Sequence, residues 1–354
     1  MICLIVGPAA IFDPLFIPPE LLHRERELKA AKTFIENGIS SQYPLHIVVS
    51  GIRGIGKTVF ANYLAERIRK EYGFPKVFIN MNDHENRIFL NKLVYGENFH
   101  FRESGRLIDR AHKNSFLILV MDDVDPYSNM FCRFLKKSRE RNIIVIASGD
   151  SRSLLRKSHS SFCSHLDFIL KLGIYTPSQL FDITLQRIKL AFPIEVDIEV
   201  IRYITDLVCE FDVNRPSVSI EILRRLYPLV VSGEEITVEV VRKCSHDLLW
   251  ILNDDLMVLD ALRNMRIESI LLLEKIALHL LRRPKKAYLS LREIRELYDL
   301  LCDEIGDGLA KYLFNECLEE LTSSDALFKS SFSEKYFYLA IPPKLLLDLI
   351  DTIF

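Results

Sequence analysis

A chain of 354 residues is longer than one ordinary domain and long enough to bury two or three separate cores. Its 49% apolar and 27% charged content describes a folded, soluble polypeptide and excludes a disordered one. A net charge of −2 excludes a global basic field, so any nucleic-acid contact must come from a local patch.

From the N-terminus, Met1 to Val6 is apolar but too short for a bilayer span, has no basic flank and runs into Gly7-Pro8. Neither a signal peptide nor a membrane helix is expected, and the expected location is the cytoplasm. Seven cysteines (Cys3, Cys132, Cys163, Cys209, Cys244, Cys302, Cys317) are scattered and never form a CxxC pair. That argues against a disulfide framework or zinc site and for a reducing compartment.

The next element is a buried strand, Leu45 to Val49, followed by Ser50-Gly51-Ile52-Arg53-Gly54-Ile55-Gly56-Lys57-Thr58 and a helix-spaced run from Val59 to Arg69. A GxxxxGKT sequence at a strand-to-helix turn is a phosphate-binding P-loop. Its backbone N–H groups, from Gly51 through Arg53, Gly54, Ile55 and Gly56 to Val59, can surround the phosphates of ATP at a helix N-terminus. Lys57 would reach the β- and γ-phosphates, the Thr58 hydroxyl would ligate Mg²⁺, and Gly54 and Gly56 would allow close backbone approach.

Further strand-like runs follow at Lys76 to Asn80, Phe116 to Met121 and Ile143 to Ala147, with a helix expected near Ser104 to Asn114. The alternation predicts an α/β domain over residues 1–172, a parallel sheet with helices on both faces. The Phe116 strand ends in Asp122-Asp123-Val124-Asp125, the Walker B pattern. Asp122 is placed to hold the Mg²⁺ and Asp123 to polarise an attacking water. At the end of the next strand, Ser148 could sense the γ-phosphate, or Ser148-Gly149-Asp150 could simply close a turn.

After residue 172 the periodicity is helical alone: Pro177 to Ala191, Ile198 to Phe211, Pro216 to Val231 and a long run from Thr237 to about Met265. Residues 173–265 therefore read as an all-helical lid. In Asp212-Val213-Asn214-Arg215-Pro216, Asn214 can cap a helix, Pro216 suits its first turn, and Arg215 could swing back to a phosphate. Residues 266–354 predict helices Glu268 to Arg282, Leu291 to Glu304 and Leu309 to Leu321, then strands Ala326 to Ser330 and Tyr336 to Ile341. Ser290 and Glu293 form a capping box for the middle helix. Three helices and a hairpin outline a winged helix-turn-helix.

In this order the pieces resemble the archaeal replication initiators related to the origin recognition complex and the cell-division-control initiator, members of the AAA+ ATPases. The resemblance spans nearly the whole chain. Phe16-Ile17-Pro18-Pro19-Glu20-Leu21-Leu22-His23-Arg24-Glu25-Arg26-Glu27-Leu28 is similar to the family's leading segment, which implies that Phe16, Ile17 and Arg24 line an adenine pocket. Val77 to Asn80 resembles its second strand and Asp122 to Asp125 its Walker B. Tyr175-Thr176-Pro177-Ser178-Gln179-Leu180-Phe181-Asp182-Ile183 resembles the opening of its lid, bringing Tyr175 to the nucleotide. The Arg215 segment resembles sensor 2. The resemblance implies ATP and Mg²⁺ as cofactors, and as partners double-stranded DNA, with initiator paralogues or a replicative helicase.

There are departures. Asp123 replaces the family's catalytic Glu, shortening the side chain by one methylene and displacing the base by about 1 Å, enough to cost orders of magnitude in rate. The sensor-1 Asn aligns with Gly149, and no arginine after that strand fits a trans-acting finger, although Arg152 and Arg156 are near. These departures imply ATP binding with slow or absent hydrolysis. Residues 266–354 carry 12 Lys and Arg against 15 Asp and Glu, with Glu316, Glu319 and Glu320 on the expected recognition helix. Phosphate contacts need cations. The available groups are Lys311 and Asn315 on that helix, Lys329 and Lys335 on the wing, and Arg282, Arg283, Lys285 and Lys286 before it. An acidic winged helix leaves a second reading open, an archaeal regulatory P-loop ATPase whose winged helix contacts a protein.

Overall fold

The computed structural model describes residues 8–83, 116–124, 129–140, 142–150, 166–246, 248–249, 255–306 and 310–353. The helix expected near Ser104, Asp125, Arg152 and Arg156 lie outside the described residues. The chain forms two compact units, Asp13–Ile174 and a second made of Met1–Phe12 with Tyr175–Phe354.

The first unit holds a five-stranded parallel sheet in the order β2-β3-β4-β1-β5, built from β1 (His46–Gly51), β2 (Lys76–Asn80), β3 (Leu117–Asp122), β4 (Ile143–Asp150) and β5 (Phe168–Lys171). β1 and β3 are buried at every position, as continuous apolar runs require in a sheet covered on both faces. Helices α1 (Glu25–Ser40), α2 (Lys57–Tyr72) and α3 (Asn129–Arg139) accompany it. Strand β5 went unread in the sequence, because four residues with an exposed Ile169 and Lys171 give neither an apolar run nor length. His46, Ser138 and Asp167 meet at the N-terminal end of β1, with Ser138 Oγ 2.8 Å from His46 Nε2. This is a packing contact, because His46 and Ser138 are fully buried and the Ser138 hydroxyl donates to the Leu135 carbonyl.

The second unit begins with a short helical turn, Pro8–Phe12, whose Phe12 ring packs on Phe192 and Tyr227. Helices α4 (Pro177–Ala191), α5 (Ile198–Phe211) and α6 (Pro216–Val231) match the sequence reading in both bounds. The run expected from Thr237 to Met265 forms two helices, α7 (Val238–His246) and α8 (Asp255–Arg263). Then come α9 (Ile267–Leu281), β6 (Tyr288–Ser290), α10 (Leu291–Ile305), a single turn at Lys311–Leu313, α11 (Phe314–Ser323), β7 (Phe328–Ser330), β8 (Ser333–Tyr338) and α12 (Pro343–Asp351). The strands make an antiparallel sheet ordered β6-β8-β7, and α9 packs against α10, α11 and α12. None of the described helices is long and apolar enough to cross a membrane.

One hydrophobic core runs through all of this unit, and polar contacts cross it. Asp206 of α5, 1% exposed, accepts from Tyr288 Oη at 2.7 Å, Ser330 Oγ at 2.7 Å, the Ser331 N–H at 2.9 Å and the Ser331 hydroxyl. The Leu339 carbonyl accepts from Tyr203 Oη at 2.8 Å and from Arg242 Nε at 3.3 Å. Arg242, fully buried, lies over the Tyr203 ring and 3.6 Å from Glu239. The Phe332 ring at the β7–β8 turn meets Phe181 of α4 edge-on at 5.8 Å.

The Ser290 capping box is formed, with the Glu293 N–H on Ser290 Oγ and the Glu293 carboxylate on the Ser290 N–H. Burial alone would raise the Glu293 carboxyl, but Lys286 and the Ser290 donors outweigh it and hold it at about 2, below the ordinary 4.5. A folded-state value below the unfolded one stabilises above about pH 4.5, and that contribution is lost as pH falls towards 2. Ser290→Ala is expected to cost about 1 kcal/mol near neutrality. It should also flatten the acid limb of stability between pH 4.5 and 2, measured by urea midpoints across that range.

Candidate nucleotide site

Strand β1 lies between β4 and β5 and delivers Gly51 at the C-terminal edge of the sheet, where parallel α/β folds bind ligands. From there the chain turns through the P-loop into α2. Gly54 (φ 82°) and Gly56 (φ 95°) take left-handed angles that strain any residue with a side chain. A Cβ built on Gly56 would meet no heavy atom within 4 Å, so the backbone angle demands glycine there and the space beside it is open. Ile55 is fully buried and anchors the loop, while Arg53 is exposed and Val59 half-buried in the first turn of α2. Lys57 Nζ donates to the Gly51 carbonyl at 3.0 Å and the Ile52 carbonyl at 2.9 Å.

Strand β3 brings Asp122 to the same edge. Thr58 Oγ1 donates to Asp122 Oδ1 at 2.7 Å, and the Ser148 hydroxyl on β4 donates to that same oxygen. A hydroxyl and a carboxylate in contact at a helix N-terminus form a hard-oxygen donor pair suited to Mg²⁺, beside a loop suited to phosphate. These residues therefore fit ATP–Mg²⁺.

The residues expected to act in hydrolysis make contacts of their own. Asp123 is exposed, with φ 53°, and its Oδ2 accepts from Asn82 Nδ2 at 2.8 Å. Asn82 was not singled out in the sequence. The register pairing Asn80 with Asp122 sets the residues just past β2 beside those just past β3, a relation no local motif reveals. Ser148 is buried, and besides donating to Asp122 it accepts the Asp123 N–H at 3.3 Å. At Gly149 a Cβ would lie 3.3 Å from the Val124 carbonyl oxygen, and the Val124 N–H is bound to the Ser148 carbonyl at 2.9 Å.

Of the residues expected near adenine, Phe16 and Ile17 are half-buried in the first unit, and Tyr63 of α2 donates to the Pro19 carbonyl at 3.5 Å. Arg24 is buried at 4% exposure, pairing with Glu27 at 3.1 Å and donating to the Gly173 carbonyl at 2.6 Å. Tyr175 and Arg215 belong to the second unit. Tyr175 is buried, and its carbonyl accepts from Asn214 Nδ2 at 2.9 Å. Asn214 was expected to cap α6. Instead it takes a left-handed angle (φ 51°) and turns its amide to Tyr175, which leaves Arg215 at the cap position without a side-chain cap bond. The Arg215 guanidinium forms a fork on Asp212, with both N···O distances 2.5 Å, and this carboxylate raises it above its ordinary range.

Lys311 precedes α11, in the single turn closed by the Leu313 N–H on the Ala310 carbonyl, and lies 3.4 Å from Asp303. Asn315 is exposed on α11. Two of the three glutamates on that helix are engaged: Glu316 with Arg266, and Glu320 with Ser269 Oγ at 2.5 Å and the Arg266 N–H at 3.3 Å. Lys329 and Lys335 are exposed on the hairpin whose turn is held by Asp206 and Phe181. Lys285 pairs with Glu235 and Lys286 with Glu293, while Arg283 contacts His279.

No family model matches the chain. It is 23% identical over 193 residues to the replication factor C large subunit of Methanococcus aeolicus, a match covering 52% of this chain and 36% of that protein. The chain thus spans about a third of the length of this curated relative. Among solved structures, it superposes on Cdc6p from Pyrobaculum aerophilum with a TM-score of 0.75 at 19% identity, covering 97% of this chain and 98% of that one. The Aeropyrum pernix ORC2 protein gives a TM-score of 0.55 at 19% identity, covering 97% of each chain. The Aeropyrum pernix ORC1 protein, solved in complex with DNA, gives 0.55 at 17% identity, covering 97% and 96%. The chain has the fold of these proteins.

Proposed function

We propose that this chain is an initiator-like AAA+ protein that holds ATP–Mg²⁺ at its P-loop, hydrolyses it slowly and binds origin-type duplex DNA through its C-terminal winged helix. The convergence of Thr58 on Asp122 beside the open Gly56 turn carries the nucleotide reading. Lys57 would hold the β- and γ-phosphates, with Thr58 and Asp122 on the metal. Slow turnover follows from the short Asp123 side chain, its tie to Asn82 and the missing side chain at Gly149. Support for DNA comes from the fold shared with a protein solved in complex with DNA, and from α11, where Arg266 and Ser269 already engage two of the three glutamates. The outward groups there are Asn315, Glu319 and Lys311, the last paired with Asp303, with Lys329 and Lys335 on the hairpin.

A second reading, a regulatory ATPase whose winged helix meets a protein, draws on the acidic balance of residues 266–354 and on the turn at Phe332 being packed against α4. Nucleotide and duplex binding measured on one sample over a salt series separates the two. DNA attachment predicts an affinity that falls steeply with salt, with a slope of about −0.9 per phosphate contacted. Duplex binding that is absent or independent of salt leaves the protein-contact reading. ATP turnover of several per second would sink the slow-hydrolysis part.

A further inference from the structure

We propose that the groove between α1 and the edge strand β5 docks an extended, acidic protein segment carrying an aromatic side chain. The groove has a volume of about 500 Å³ and is lined by Arg26, Lys29, Ala30, Thr33, Phe34, Asn37 and Phe168. Its apolar wall is the stacked pair Phe34 and Phe168, with ring centroids 4.9 Å apart. Ala30 and Thr33 face outward on α1 and keep its surface low enough for a side chain to reach those rings.

Charge selects the partner. Lys32, on the same helix, is paired with Glu36 and Glu71, and Arg24 with Glu27. Arg26 and Lys29 are exposed at the rim and have no carboxylate partner among the described residues, and Lys171 is exposed at the end of β5. Glu25, one turn before Lys29 on α1, accepts the His23 N–H. A carboxylate-bearing ligand would complete these pairs.

The sheet selects an extended polypeptide. β5 is the last strand of the order β2-β3-β4-β1-β5 and pairs with β1 on one side. Among the described residues no strand pairs with its other side, where Ile169 is 46% exposed. A peptide strand can use such an edge for main-chain hydrogen bonds and drop alternate side chains into a neighbouring pocket. A nucleic acid makes no use of a strand edge. It would need a longer track of cations, and the aromatic rings here spend one face on each other.

The test is an anisotropy titration of the full chain with the fluorescein-labelled peptide Asp-Glu-Asp-Trp-Val-Asp-Glu-Asp, against the same peptide with Ser for Trp. Saturable binding is expected, weakened on the order of tenfold by losing the Trp, by Lys29→Glu, or by Ala30→Trp, which fills the groove from an exposed helical position. Fluorescent-ATP binding by both variants should equal that of the parent chain, showing them folded. Equal binding of the two peptides, or variants that bind like the parent, overturns the proposal. So does a labelled oligothymidylate that binds more tightly than the Trp peptide and loses affinity in both variants.

Discussion

Lys57→Ala should lower ATP affinity on the order of 100-fold while leaving the sheet intact. Lys57 is 8% exposed, and its ammonium donates to two loop carbonyl oxygens, those of Gly51 and Ile52. Those bonds hold it at the loop, where a P-loop lysine meets phosphate. Removing one member of a largely desolvated charge pair costs about 2–5 kcal/mol, and each 1.4 kcal/mol is roughly tenfold in affinity. The folded state loses less, because Gly51 ends a buried strand and Ile55, fully buried, still anchors the loop. A fluorescent-nucleotide titration with circular dichroism on the same sample reads both quantities. A variant that binds ATP like the parent chain would remove the P-loop from the functional account.

The largest stability effect is expected at Asp206→Ala, about 3–5 kcal/mol. Its carboxylate receives three hydroxyls and one N–H, and its backbone carbonyl accepts from Tyr338 Oη at 3.3 Å. Deleting it takes the acceptor from the buried Ser330 hydroxyl and the half-buried Tyr288 hydroxyl, where each unmet group carries its own desolvation cost. Burial and the neighbouring Asp206 charge also push the Tyr288 and Tyr338 phenols far above their ordinary value, so they remain donors at any working pH. Asp206→Asn should fall between the parent and Ala, because one acceptor oxygen becomes an NH₂ facing hydroxyls. Urea unfolding, with hydrogen exchange at β7 and β8 to assign the transition to the second unit, measures the loss. An unchanged midpoint for Asp206→Ala would show that the hub contributes nothing net.

What could be read directly from the sequence had short-range signatures. The P-loop, the run ending in Asp122, the capping box at Ser290 and helices α4 to α6 each declare themselves within about fifteen residues. What escaped depends on register or on packing between distant segments. Asn82 meets Asp123 because β2 and β3 are aligned, and 41 residues separate them. Asp206 looks like an ordinary helical carboxylate, yet it lies among Tyr203, Ile204, Leu207 and Val208, all buried. An acid set within an apolar stripe was the available signal, and only its partners on β6 and at the β7–β8 turn give it meaning. The separation expected between residues 173–265 and 266–354 rested on a change of pattern. In the structure one core and one carboxylate join these stretches within a single compact unit.

The tight turn after β3 also limits what position 149 can accept. An Asn at position 149 would bring its Cβ to within 3.3 Å of the Val124 oxygen, while Val124 is itself hydrogen-bonded to Ser148 and follows a residue in the left-handed region. A side chain at that position therefore requires the Val124 carbonyl to give by a few tenths of an ångström. The end of β4 and the turn after β3 are thus coupled, so that position 149 accepts a larger residue only together with a shift in its neighbour.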